Sequence, residues 1–289
     1  MSKSADILEN IYHRGQDKIW DGKKLLASLI KEHGHPDIEE EKKIALQNIF
    51  AIILRGEKAA WNVSSQLSHM IDDHGAKMAA VSQAHDEARH FYVMRDYLDL
   101  LEYEPKELSR SATYVLDQVS STQDLAKKLL GMQLMVEPIA LTIFRFVRKS
   151  NVDPVLTGLL EYIEADEARH VALGVKYLPV LIKEMSSAKL ANFLFWQAKL
   201  INAEVDGLKD LEDDLRCLGF DPLEVFEYAE KKQIECLKLV AAEMGIGEGI
   251  WSPILKLIQF KKRLAFYPNR NDNMVKKIAN SFFNTMKSK

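Results

Sequence analysis

The pentapeptide Asp-Glu-Ala-Arg-His occurs twice in this chain of 289 residues, at 86–90 and 166–170, an offset of 80. A Glu and a His three apart share one helix face, so each copy presents a Glu-x-x-His pair to one side. Each copy also has a companion upstream. Glu57 is the only acidic residue between Glu41 and Asp72, and Glu137 is the only charged residue between Lys128 and Arg145. The spacing from lone Glu to motif Glu is 30 in both halves (87 − 57 and 167 − 137). In an antiparallel helix pair, residues equidistant from the turn are level. The midpoints, 72 and 152, fall in "IDDHG" and "SNVDP", both turn signals. Each lone Glu is therefore level with the motif Glu of its own hairpin. Tyr97 and Leu98 likewise match Tyr177 and Leu178 at the same offset of 80. The pattern is a duplicated helix hairpin, since a solenoid needs more and shorter units.

The rest of the chain reads as helix. Apolar periodicity places long helices over 44–71, 76–101, 124–150 and 154–185, a shorter one within 105–122 and further ones over 187–217 and 221–244, with Pro105 ending the second. The run "DIEEEKK" at 37–43 reads as a charged helix start. "EHGH", with Glu32 and His35, reads as a helix end at Gly34 and Pro36, and "GIGEG" at 245–249 as a helix stop. No stretch alternates as a strand would. Thirteen Gly and eight Pro in 289 residues argue against a sandwich or a disordered chain. The expected architecture is all-α: one domain over 1–289, with a four-helix core at about 44–185 and accessory helices on either side.

A formal net charge of −3 offers nothing that would draw nucleic acid. Cys217 and Cys236, 19 apart with no histidine near them, suggest neither a zinc motif nor a disulfide framework. The start, MSKSADILEN, is polar, and no uncharged apolar run reaches about 18 residues. The expected setting is cytoplasmic, with no membrane span.

Glu57, Glu87, His90, Glu137, Glu167 and His170 thus converge from four helices. Four buried carboxylates repel one another unless cations intervene. With neutral imidazoles they carry −4, which two divalent ions balance, and a carboxylate–imidazole donor set suits iron or manganese. One Glu from each of two helices, with a Glu-x-x-His from each of two others, resembles the ligand set of the ferritin-like di-iron carboxylate superfamily. The doubled Asp-Glu-x-Arg-His is similar to its oxygen-activating branch. That branch holds multicomponent monooxygenases, acyl-carrier-protein desaturases, ribonucleotide reductase small subunits and their ligand-binding oxidase relatives.

The resemblance covers about 44–185. It implies that Asp86 orients His170 and Asp166 orients His90, with Arg89 and Arg169 bracing the aspartates. It implies a ferritin-like four-helix bundle holding two metal ions, Fe/Fe or Fe/Mn, with O2 as co-substrate. It implies oxidation of a small apolar or amphipathic organic substrate, electrons from an external reductase or ferredoxin, and a homodimer. The alternative is a ferroxidase or iron-handling protein without an organic substrate. Departures narrow the branch. Met94 stands where radical-forming subunits place a tyrosine, Met132 where the ligand-binding oxidases have their crosslinked tyrosine, and Ile163 where N-oxygenases add a histidine. Trp61, Phe91, Met94, Met135, Leu141 and Ile163 are expected to line the site or the core beside it, Tyr162 to be a core residue and Glu164 a solvated one. Pro138, directly after Glu137 inside a helix, removes a backbone donor and predicts a kink or π-bulge there.

Overall fold

The computed structural model describes residues 3–104, 106–266 and 274–287, and no strand occurs among them. Two short helices, α1 (Lys3–Gln16) and α2 (Gly22–His33), lead into a hairpin of α3 (Glu40–Met70) and α4 (His74–Leu100). After α5 (Arg110–Ser121) comes a second hairpin. Its first arm joins α6 (Leu125–Leu129), a π-helical segment (Leu130–Val136) and α7 (Glu137–Ser150), and its second arm is α8 (Pro154–Lys183). The chain continues through α9 (Ser187–Asp210), α10 (Glu212–Cys217), α11 (Pro222–Met244), α12 (Ser252–Ala265) and α13 (Met274–Lys287). The segment expected as one helix over 187–217 is two, α9 and α10, and Pro105 lies outside the described residues. The helix it was expected to end stops at Leu100.

The hairpin turns follow from their sequences. Asp73 caps α4 by accepting from the Ala76 amide at 2.8 Å. In "SNVDP", Asn151 takes the left-handed conformation that closes α7 (φ 47°), Asp153 caps α8 and Pro154 fills the first turn, where no backbone donor is needed. Asp153 accepts the Leu156 amide at 2.8 Å and, through the same oxygen, the Tyr97 hydroxyl at 2.9 Å. One buried carboxylate thus ties the end of α4 to the turn of the other hairpin. The ends of α2 at His33 and of α11 at Met244, with Gly34 and Gly245 at positive φ, match the expected stops.

α3 packs on α4, α7 on α8, and α4 against α8, which brings the two hairpins together. α1 and α2 lie against α4 and α8, while α11 packs on α7 and α8 and α9 on α5. Leu125–Ser150 is long and apolar enough to cross a bilayer, but 72% of its most apolar window is buried inside the protein. Gly174 of α8 allows the close approach of the π segment: a Cβ there would sit 2.7 Å from Cβ of Gln133. The π turn lies just before Glu137 and Pro138, where the sequence predicts a disturbance. Gln233 of α11 donates to the Met135 carbonyl inside it at 3.1 Å.

Candidate metal centre

The four core helices bring all six predicted residues into one buried cluster. Glu57, Glu87, His90 and Glu167 offer ligand atoms that lie within 4.8 Å of one another, and so do Glu87, Glu137, Glu167 and His170. Glu87 and Glu167 belong to both groups. Glu57 with His90 serves one and Glu137 with His170 the other, so the arrangement is two metal-sized sites sharing two carboxylates.

Both histidines turn Nδ1 toward the glutamates. His90 Nδ1 lies 3.1 Å from Glu167, 3.4 Å from Glu87 and 3.5 Å from Glu57. His170 Nδ1 lies 2.8 Å from Glu167 and 3.0 Å from Glu87. The opposite ring nitrogens face aspartates of the other hairpin: His90 Nε2 to Asp166 at 3.1 Å, His170 Nε2 to Asp86 at 3.5 Å. An Nε2–H donated to aspartate leaves the Nδ1 lone pair free toward the glutamates.

Behind the histidines the two Asp–Arg pairs form a closed ring. Arg89 donates to Asp86 at 2.6 Å and to Asp166 at 2.8 Å, and Arg169 donates to Asp166 at 2.7 Å and Asp86 at 2.8 Å. The ring is neutral by itself, so the four glutamates are the uncompensated charge. Burial acts to raise both aspartates, but the facing histidine outweighs it. Asp86 is held at about 2, and Asp166, which also accepts from Arg89, is lowered further.

The electrostatics test whether cations fit between the hairpins. Burial pushes Glu57 up to about 8, and burial with the charges of Glu167 and Glu87 raises Glu137 well above the carboxylate range. Burial acts to raise Glu87 and Glu167 too, but His170 and His90 lower Glu87, and His170 with the hydrogen bond to Glu137 lowers Glu167. Both histidines are raised, their surrounding carboxylates overcoming the burial penalty. Carboxyls pushed toward their neutral form and imidazoles pushed toward their charged form both mark a pocket with an excess of negative charge, which divalent ions would offset. Glu57 Oε2, Glu87 Oε2 and His90 Nδ1 also have no hydrogen-bond partner although buried. Donor atoms that face one another without bonding are what a shared ion would satisfy, so the residues fit a dinuclear centre.

Other placements differ from expectation. Tyr162 is 44% exposed rather than core and packs on Trp20 at 5.6 Å between ring centroids. Trp61 is 39% exposed and rests on Phe91, away from the cluster's interior. Glu164 is not solvated: it is half-buried and paired with Arg148 at 2.7 Å. Met94, Met135 and Ile163 are buried as expected.

Three contributors were missed. Gln83 donates to Glu87 at 3.0 Å and to Glu137 at 3.2 Å, and Gln133 donates to Gln83 at 3.1 Å. Each glutamine stands four residues before a cluster glutamate, a helical spacing visible in the sequence. Trp20 had no such signal. It comes from the loop between α1 and α2, and its indole N–H donates to Asp166 at 2.8 Å while the Arg89 guanidinium stacks on its ring at 4.6 Å.

No protein-family model matches the chain, and no curated protein matches it in sequence. Solved structures do match it in shape. A Synechococcus protein with aldehyde deformylating oxidase activity superposes at a TM-score of 0.61 and 16% identity, over 74% of this chain and 98% of that one. A putative class I ribonucleotide reductase from Bacillus halodurans gives a TM-score of 0.62 at 13% identity, covering 86% and 95%. The chain has the ferritin-like fold. A variant R2-like ligand-binding oxidase with a reconstituted Mn/Fe cofactor shares this ferritin-like bundle at a TM-score of 0.61 and 14% identity, over 83% and 94%.

The Asp–His contacts of the ferritin-like core are asymmetric, and a test follows. Asp166→Asn and Asp86→Asn keep the side-chain shape but weaken the bond to a histidine, an effect typically of ~10–100-fold in metal affinity or activity. Asp166 makes the shorter contact and holds Trp20 as well, so its variant should be the more impaired in iron titrations. Unchanged affinity in both variants would exclude a metal-orienting role for the ring.

Proposed function

We propose that this protein is a non-haem dinuclear-metal oxidase or oxygenase that uses O2 to oxidise a small organic substrate. The supporting observation is a cavity beside the cluster. Its volume is about 110 Å³, and Glu57 and Glu137 form part of its wall. Ile49, Ile53, Ala60, Ala140 and Leu208 are among the apolar residues that make up nearly all of the remainder. An iron-storage or ferroxidase site has no use for such a space, whereas an apolar or amphipathic molecule held there would meet the centre directly.

Glu57, Glu87, Glu137, Glu167, His90 and His170 would hold two ions, Fe/Fe or Fe/Mn. The ions, once bound, supply the redox chemistry. The chain does the rest. The Asp–Arg ring fixes the imidazoles, Gln83 steadies one oxygen each of Glu87 and Glu137, and the apolar wall keeps water from the substrate's side. No dinucleotide fingerprint is present in the sequence, so electrons would come from a separate reductase or ferredoxin.

The cavity carries its own test. Gly56 sits inside α3, where glycine costs about 1 kcal/mol relative to alanine, and a Cβ there would meet nothing within 4 Å. Gly56→Leu should therefore fill the space without a clash. Metal content should stay at the wild-type level, while substrate-dependent O2 uptake falls by about tenfold or more, equivalent to about 1.4 kcal/mol of lost transition-state binding. Iron-loaded, reduced protein that consumes O2 without response to any of a panel of medium-chain organic compounds, and accumulates many ferric ions per chain, would replace this reading with iron handling.

A further inference from the structure

Among the residues lining the cavity, three carry a polar side chain: Glu57, Glu137 and Glu204. The first two belong to the metal centre. Glu204 does not. It comes from α9, is only 8% exposed, and also borders a smaller apolar cavity of about 20 Å³ with Phe226 and Ile258. Its Oε2 accepts from Gln233 Nε2 at 3.0 Å, and its Oε1 is buried with no partner.

A buried carboxyl with an unsatisfied oxygen is destabilising unless something completes it. Glu204 has no structural ion pair to explain it, because Gln233 is its one hydrogen-bond partner among the described residues. Gln233 in turn reaches the Met135 carbonyl at 3.1 Å, so it holds Glu204 against the π segment and fixes the side chain at the cavity wall. What remains is an anionic or proton-bearing group, held from behind and facing apolar space. A hydroxyl would complete its hydrogen bond but take no proton from it and bring no charge to balance the carboxylate form. A carboxylate would add a second negative charge to the same apolar wall. A basic nitrogen satisfies both, either arriving as an ammonium or taking the carboxyl proton.

We propose that Glu204 is the recognition group of the cavity, and that the cavity takes an amphipathic amine: one basic amino group paired with Glu204 and an apolar body along the aliphatic wall. As the substrate class this rests on the oxygenase reading above, but binding at Glu204 does not require turnover.

The experiment is therefore one of binding. Protein loaded with redox-inert zinc is titrated calorimetrically with n-octylamine, n-octanol and n-octanoate, in the wild type and in Glu204→Gln, which keeps an acceptor for Gln233. The wild type should bind one octylamine, about tenfold or more tighter than octanol, with octanoate weakest. Glu204→Gln should lose about tenfold or more of the amine affinity and leave octanol within about twofold. A thermal melt checks that the variant folds. Should it not, the wild-type order of the three ligands decides alone. Octanol or octanoate binding as tightly as the amine, amine binding that is non-saturating, or amine affinity unchanged in a folded Glu204→Gln would overturn the proposal. Amine binding as expected with no substrate-dependent O2 uptake would instead sink the oxygenase reading and leave this one standing.

Discussion

Glu87→Ala and Glu167→Ala should each deprive the protein of at least one metal ion per chain and of nearly all of the oxidation activity proposed for it. Both carboxylates belong to both clusters of ligand atoms, so either removal strips a donor from each site at once. Glu57→Ala and Glu137→Ala touch one cluster each and should leave a single occupied site. Elemental analysis of the four variants after loading with iron separates the two classes. Wild-type metal content in Glu87→Ala or Glu167→Ala would remove that residue from the ligand set, and loss of both ions in all four would mean that the two sites are not independent.

The second large effect concerns stability at alkaline pH. Burial pushes Glu204 from its ordinary 4.5 up to about 8, against the bond from Gln233. Below 4.5 the carboxyl is protonated in both the folded and the unfolded chain. Between that pH and about 8 the unfolded chain loses the proton while the folded one keeps it, so stability falls as pH rises and levels off above about 8. Glutamine cannot ionise and avoids the loss. With 8 − 4.5 = 3.5 units at ~1.4 kcal/mol per unit, Glu204→Gln should be the more stable protein at about pH 9, by an upper bound of ~5 kcal/mol. At about pH 4 the two should be nearly equal, because neither side chain then carries charge. Thermal melts of wild type and variant in the two buffers measure the difference, in which the other titrating groups cancel. A gap that is larger in acid than in alkali would show that Glu204 is ionised in the folded protein.

The core was legible because its constraints are local and repeated. Helix periodicity puts Glu87 with His90, and Glu167 with His170, on single faces, and equal distances to "IDDHG" and "SNVDP" set Glu57 and Glu137 level with them. A lone acid in an apolar helix has few places to go, so the six-residue cluster could be read without coordinates. Pro138 announced the π segment in the same way, by the donor it lacks. The glutamines Gln83 and Gln133 carry the same kind of signal, each standing four residues before its glutamate.

What only the tertiary structure decided are contacts between segments with no shared period. Trp20 reaches Asp166 across 146 positions, and nothing in its neighbourhood of sequence marks it. Tyr162 and Trp61 read as core by their apolar character, yet both are exposed in the folded protein, Tyr162 against Trp20 and Trp61 against Phe91. The cavity and Glu204 are the largest case. Ile49 and Gly56 of α3, Ala112 of α5, Ala140 of α7 and Leu208 of α9 make one wall only after four separate elements have packed. Periodicity tells which face of each helix is apolar. Whether two apolar faces close on each other or leave a space between them depends on side-chain volumes summed across the interface, and no single stretch of sequence carries that sum.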